Sequence, residues 1–142
     1  QIPAMVKCGR GSIVFTSTFV GYTVGFPGMA AYAASKSGLI GLTQALAAEF
    51  GAHGIRVNAL LPGPTHTENT DRLRAERARA QGISLAEIEA GFFRDFRPTS
   101  LLKRFTSADE VANLGVYLCS EAASGTSGAA MRVDGGVVNQ IM

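Results

Sequence analysis

The chain has 142 residues, 46% of them hydrophobic and 17% charged, with a formal net charge of +2. That length is enough for one small domain with a substantial core, and so small a charge gives no electrostatic footprint for nucleic acid. No apolar run reaches the roughly 18 residues that a membrane span needs.

In chain order, IPAMVK from Ile2 to Lys7 reads as the end of a helix. Cys8 follows, far from Cys119, and the pair has neither metal-ligand nor redox spacing. Buried or inert thiols are expected, in keeping with a reducing cytoplasm. The stretch GRGSIVFTST from Gly9 to Thr18 is a glycine turn and then an apolar, β-branched run ending in three hydroxyl residues. It predicts a strand over about 12–17. A glycine-rich loop then leads to a long helix over about 30–50, and a second apolar run predicts a strand over about 56–61 that ends in Pro62-Gly63.

Beyond that turn, DRLRAERARA from Asp71 to Ala80 interleaves acids with arginines and reads as a solvated helix face. Ser84-x-x-Glu87 and Ser107-x-x-Glu110 are capping boxes, opening helices that run to about Phe96 and Cys119. The last strand is Ala130 to Val133, within MRVDGG. Strands alternating with helices predict an α/β fold with a parallel sheet. Neither repeats nor a linker divide it, so residues 1–142 read as part of one domain. His53 and His66 are not spaced as ligands, and no metal is expected.

Tyr32 and Lys36 lie four apart in AAYAASK and therefore share one face of the long helix. An ammonium beside a phenol favours the phenolate, so the pair reads as a tuned general acid/base. The same helix carries two stripes. Tyr32, Lys36, Leu39, Thr43, Leu46 and Phe50 fall on a side expected to meet the sheet and a ligand, while Ala34, Gly38, Gly41, Ala45 and Ala48 fall on the other. Glycine inside a helix costs about 1 kcal/mol relative to alanine, so a close neighbour is expected at the small stripe, either another subunit or another helix of the same one.

Taken together, the hydroxyl-ended strand, Tyr32-x-x-x-Lys36, RVNALLPG with a threonine at Thr67, and the closing VDGG resemble the short-chain dehydrogenase/reductase family. The resemblance covers nearly the whole chain and is weakest from about Glu68 to Arg104. It implies the C-terminal, catalytic part of a doubly wound, Rossmann-like parallel-sheet domain whose N-terminal strands are missing from this sequence. The glycine-rich turn that would bind a dinucleotide pyrophosphate is not found, so the chain alone is not expected to bind a dinucleotide tightly or to turn over substrate. The implied reaction moves a hydride between NAD or NADP and a small carbonyl/alcohol substrate, a 3-oxoacyl thioester or a general alcohol or ketone. The alternative is a catalytically silent half-domain serving as a dimerisation or interaction module.

By the same resemblance, Tyr32 is the proton donor in reduction, and Lys36 tunes it and hydrogen-bonds the nicotinamide ribose. A strand-end hydroxyl orients the substrate oxygen. Thr18 takes the place of the usual serine but lies fourteen residues before Tyr32, one more than the family spacing, with the extra residue absorbed between Gly21 and Gly28. Ser17 is the alternative, and strand alternation would let only one of the two face the pocket. The Pro62-Gly63 turn, Thr65 and Thr67 would contact the nicotinamide carboxamide or a phosphate oxygen. Phe19, Val20 and Phe26 are candidate pocket walls, and Asn58 is expected to be structural. The resemblance also makes the Ala30–Phe50 helix the expected contact of a homodimer or homotetramer.

Overall fold

The computed structural model describes residues 1–20 and 25–139. Three strands, β1 (Gly11–Thr16), β2 (Ile55–Pro62) and β3 (Ala130–Val133), form one parallel sheet in the order β1-β2-β3. Parallel neighbours need crossover connections, and five helices make or flank them: α1 (Ile2–Cys8), α2 (Ala30–Phe50), α3 (Glu68–Gln81), α4 (Leu85–Asp95) and α5 (Ala108–Cys119). The alternating pattern predicted from sequence is thus present, with β1 shifted by one residue so that Ser17 and Thr18 lie beyond its end.

Alternation along β2 distributes the helices over both faces of the sheet. Ala59 and Leu61 pack with Ile40 of α2 on one face. On the other, Leu60 comes close to Gly115 of α5, and Arg56 donates to the Leu118 and Ser120 carbonyls at 2.8 and 3.0 Å. Ser12, opposite Arg56 in the β1–β2 register, donates to the same Leu118 carbonyl at 2.9 Å. A strand buried on both faces reads as a continuous apolar run, which is what RVNALLP is. The polar exception, Asn58, is fully buried and satisfied, donating to Thr126 O at 2.9 Å and accepting from Ala129 N at 3.1 Å. It stitches β2 to the chain that enters β3, the structural role expected of it.

The α2 boundaries match the sequence reading. Ile40 and Thr43 are its buried residues, whereas Ala34, Gly38, Gly41, Ala45 and Ala48 are exposed. A Cβ built on Gly38 or Gly41 meets no atom within 4 Å. Of the two neighbours considered for the small stripe, a helix of the same chain is therefore absent among the described residues. Cys8 and Cys119 are both exposed and free, which corrects the buried alternative of the expected buried or inert thiols. Each is the last residue of its helix, α1 or α5. No helix among the described residues is long and apolar enough to cross a membrane.

Candidate active site

The carboxyl ends of β1 and β2 and the first two turns of α2 meet at one cavity of about 510 Å³. Thr16, Ser17, Thr18, Phe19 and Val20 enter it from β1, Tyr32 and Lys36 from α2, and Pro62, Gly63, Pro64, Thr65 and Thr67 from the segment after β2. Phe92, Arg97 and Phe105 close it from the side of α4 and the chain before α5. This is the edge at which open α/β sheets bind ligands.

Lys36 Nζ donates to the Thr16 carbonyl at 3.0 Å, which tethers the ammonium to the last residue of β1. It lies 6.0 Å from the centroid of the Tyr32 ring. Tyr32 is 41% exposed, so its ring is open to an incoming molecule. The backbone leaves the strand after Thr16, and strict alternation ends with it. Ser17 and Thr18 consequently both line the cavity, a correction to the expectation that only one would. Their hydroxyls nevertheless differ, because Ser17 Oγ donates to the Lys36 carbonyl at 2.7 Å and is committed to holding α2 on the strand end. The loop expected to absorb the extra residue before Tyr32 includes residues 21–24, which lie outside the described residues.

The segment after β2 is held by backbone pairing. His66 N donates to Thr106 O at 2.8 Å and Thr106 N to Pro64 O at 2.9 Å, while the Thr65 and Thr106 hydroxyls meet at 3.0 Å. Gly63 permits a close approach, since a Cβ there would stand 2.5 Å from the Cα of Asp134. Asp134 in turn accepts from the Gly136 and Val138 amides at 3.0 and 3.1 Å. The VDGG sequence thus turns the chain beside the β2 end and buttresses the cavity floor.

Thr67 is the N-cap of α3, accepting from Thr70 N at 3.3 Å. Sequence reasoning missed this start, because a threonine occupies the position where a capping box usually carries Glu or Gln. His66 Nδ1 lies 3.0 Å from Asp71 and 2.6 Å from Arg74 Nη2, which also pairs with Asp71. Bonds from His66 and then Arg74 hold the Asp71 carboxyl below the ordinary carboxylate range. Arg74 stacks 4.1 Å over Phe105 and reaches Glu89 at 3.5 Å, tying α3 to α4.

Phe19 and Val20 are buried in a cluster with Val137 and Val138, against which Phe26 packs. The first two line the site cavity, whereas Phe26 lines an adjoining hollow with Phe19 and Arg97. Arg97 is a wall residue that the sequence reading passed over; its signal is the second of two arginines among the three phenylalanines of FFRDFRP, the one without an acidic neighbour in the chain. No group of three or more His, Cys, Asp or Glu side chains among the described residues could hold a metal.

Comparison with known proteins bears on what this arrangement belongs to. Residues 1–138 match the family model described as enoyl-(acyl carrier protein) reductase. The chain is 39% identical over 137 residues to 3-oxoacyl-(acyl-carrier-protein) reductase of Thermotoga maritima, covering 96% of this chain and 49% of that protein. It is 34% identical to an uncharacterized oxidoreductase of Bacillus subtilis, covering 99% of this chain and 53% of the relative. The crystal structure of L-sorbose reductase from Gluconobacter frateurii, complexed with NADPH and L-sorbose, superposes with a TM-score of 0.86 at 28% identity over 99% of this chain and 52% of that one. The chain thus spans about half the length of the relatives it matches. With its parallel sheet, its Tyr32/Lys36 helix at the strand ends and a family match over 138 residues, the chain belongs to the short-chain dehydrogenase/reductase family.

Proposed function

We propose that this chain supplies the catalytic part of an NAD(P)-dependent oxidoreductase acting on a carbonyl/alcohol pair. The observation that carries the reading is the convergence of Thr18, Tyr32, Lys36 and the Pro62–Thr67 segment on one cavity at the carboxyl edge of the sheet. Reductases among the relatives and an NADPH-bound neighbour of the same fold support it.

The residues present fit the nicotinamide end of a dinucleotide. Gly63 lets the Asp134 backbone pack directly against this segment, and the Pro64–His66 backbone is pinned by Thr106. Thr65 and Thr67 present the polar edge of the same segment. These residues, with Tyr32 and Lys36, would hold the cofactor, which when bound supplies or accepts the hydride. In the direction of reduction, the Tyr32 hydroxyl delivers a proton to the substrate oxygen and the Thr18 hydroxyl orients that oxygen. Lys36, held beside the Tyr32 ring by its bond to the Thr16 carbonyl, would hydrogen-bond the nicotinamide ribose. Ser17 fixes the helix that carries both groups, through its bond to the Lys36 carbonyl. Phe19 and Val20 exclude water from one wall. A 3-oxoacyl thioester and a simple ketone or alcohol are both within this chemistry. The exposed small stripe of α2 would meet the same helix of a second copy.

The test is turnover by the complete enzyme that contains this chain. Tyr32→Phe keeps the ring and removes the transferable proton, so kcat should fall by about 100-fold or more. Lys36→Met should weaken dinucleotide binding, read as a smaller thermal shift at the same NADH or NADPH concentration. Wild-type turnover by Tyr32→Phe overturns the assignment.

A further inference from the structure

Arg97 lies just beyond α4, at the junction of the cavity that holds Tyr32 and Lys36 and the adjoining hollow of about 250 Å³. Its guanidinium carbon stands 4.5 Å from the ring centroid of Phe26, 5.5 Å from Phe92 and 5.6 Å from Phe19. Aromatic faces retain a cation without consuming its directed N–H bonds. One of those bonds is used, from Nη1 to the Phe96 carbonyl at 2.6 Å. Nε is buried and has no hydrogen-bond partner among the described residues.

The carboxylates nearest in sequence are engaged elsewhere: Asp95 with Arg94 at 2.7 Å, and Glu89 with Arg74 at 3.5 Å. Burial pulls the Arg97 guanidinium below its ordinary value, as befits a cation with no carboxylate partner among the described residues. Unmade bonds on a partly buried charge are costly, and a planar guanidinium matches the two oxygens of a carboxylate. Among the described residues the other cation lining this cavity is Lys36, which is tethered to Thr16 and assigned to the cofactor above, so Arg97 is the charge left for a substrate, suited to a monoanion.

We propose that Arg97 is the specificity-determining residue of this site and that it selects a ketone or alcohol substrate bearing a carboxylate. This rests on the oxidoreductase reading above, and the experiment separates the two. The probes are levulinate and its longer oxo-acid homologues, each paired with its methyl ester. All are offered to the complete enzyme with NADH or NADPH, and binding is followed in parallel by saturation-transfer NMR.

At the best chain length, kcat/KM for the acid should exceed that for its ester by about tenfold or more. Arg97→Met should collapse that ratio toward one, and Arg97→Lys should keep part of it. Equal turnover of acid and ester by the wild type, or an Arg97→Met variant that retains the ratio, overturns the proposal. Acid-selective binding that Arg97→Met abolishes, with no turnover of any probe, upholds the carboxylate site and overturns the oxidoreductase reading. Turnover without acid preference does the reverse, and neither turnover nor selective binding overturns both. Should Arg97→Met fail to fold, the wild-type ratio and Arg97→Lys decide.

Discussion

Ser17 and Thr18 offer the same hydroxyl chemistry on successive residues, yet their surroundings give them different work. Ser17 Oγ is spent on the Lys36 carbonyl at 2.7 Å, joining the strand end to the second turn of α2. Thr18, one residue farther from β1, faces the cavity that Tyr32 enters. Thr18→Ala should therefore lower kcat/KM with little effect on stability, and Thr18→Ser should retain activity because the hydroxyl remains. Ser17→Ala should act mainly on stability, costing about 1 kcal/mol for a lost, largely buried hydrogen bond. Denaturant unfolding and steady-state kinetics on the same three variants test this, and the reverse ranking transfers the orienting role to Ser17. The sequence alone left the two open because an alternating strand was expected to run through Ser17. The structure ends β1 at Thr16, and that single-residue difference decides which hydroxyl is bound to protein.

At the scale of elements, helix starts show which signals a sequence carries openly. Ser84 and Ser107 each accept from the backbone of a glutamate three residues on, Glu87 and Glu110, whose carboxylate returns the bond. Both starts were legible because Ser-x-x-Glu is the common form of that box. α3 opens with the same reciprocal geometry built from Thr67 and Thr70, and without the glutamate it could be read only as a charged helical face beginning some residues later. The α5 start also predicts a pH dependence. Arg104 donates to both Glu110 oxygens at 2.8 and 2.9 Å, and with the Ser107 amide it lowers that carboxyl to about 2. A carboxyl depressed in the fold stabilises it above the ordinary value of 4.5, and that contribution is lost as pH falls through the folded value of about 2. Side-chain NMR of Glu110 should thus titrate near 2 in the wild type and well above it in Arg104→Gln. A Glu110 midpoint near 4.5 in both proteins would show that the arginine does not hold the carboxylate.

On the scale of the whole molecule, the layers follow from β2. Its run of apolar residues requires cover on both faces, and α2 and α5 supply it from opposite sides. That much was readable from alternation and run length, whereas Arg97 was not. What distinguishes it is the absence of a carboxylate partner among the described residues, a property of the folded chain rather than of any spacing. The small stripe of α2 falls between these cases: its residues were legible, but only the structure shows that no described residue covers the face, with open space around Gly38 and Gly41. A Cβ added at Gly41 meets nothing among the described residues of its own chain, and leucine is about 1 kcal/mol better than glycine inside a helix. In a lone protomer the substitution should be neutral or stabilising. In an assembly closed through α2, the added side chain meets the partner helix, and overpacking of that kind costs about 1 to 3 kcal/mol at the contact. Sedimentation of the complete enzyme should accordingly shift toward smaller species in Gly41→Leu while thermal stability at low protein concentration holds or rises. An unchanged sedimentation profile with raised stability would place the stripe in solvent and the subunit contact elsewhere.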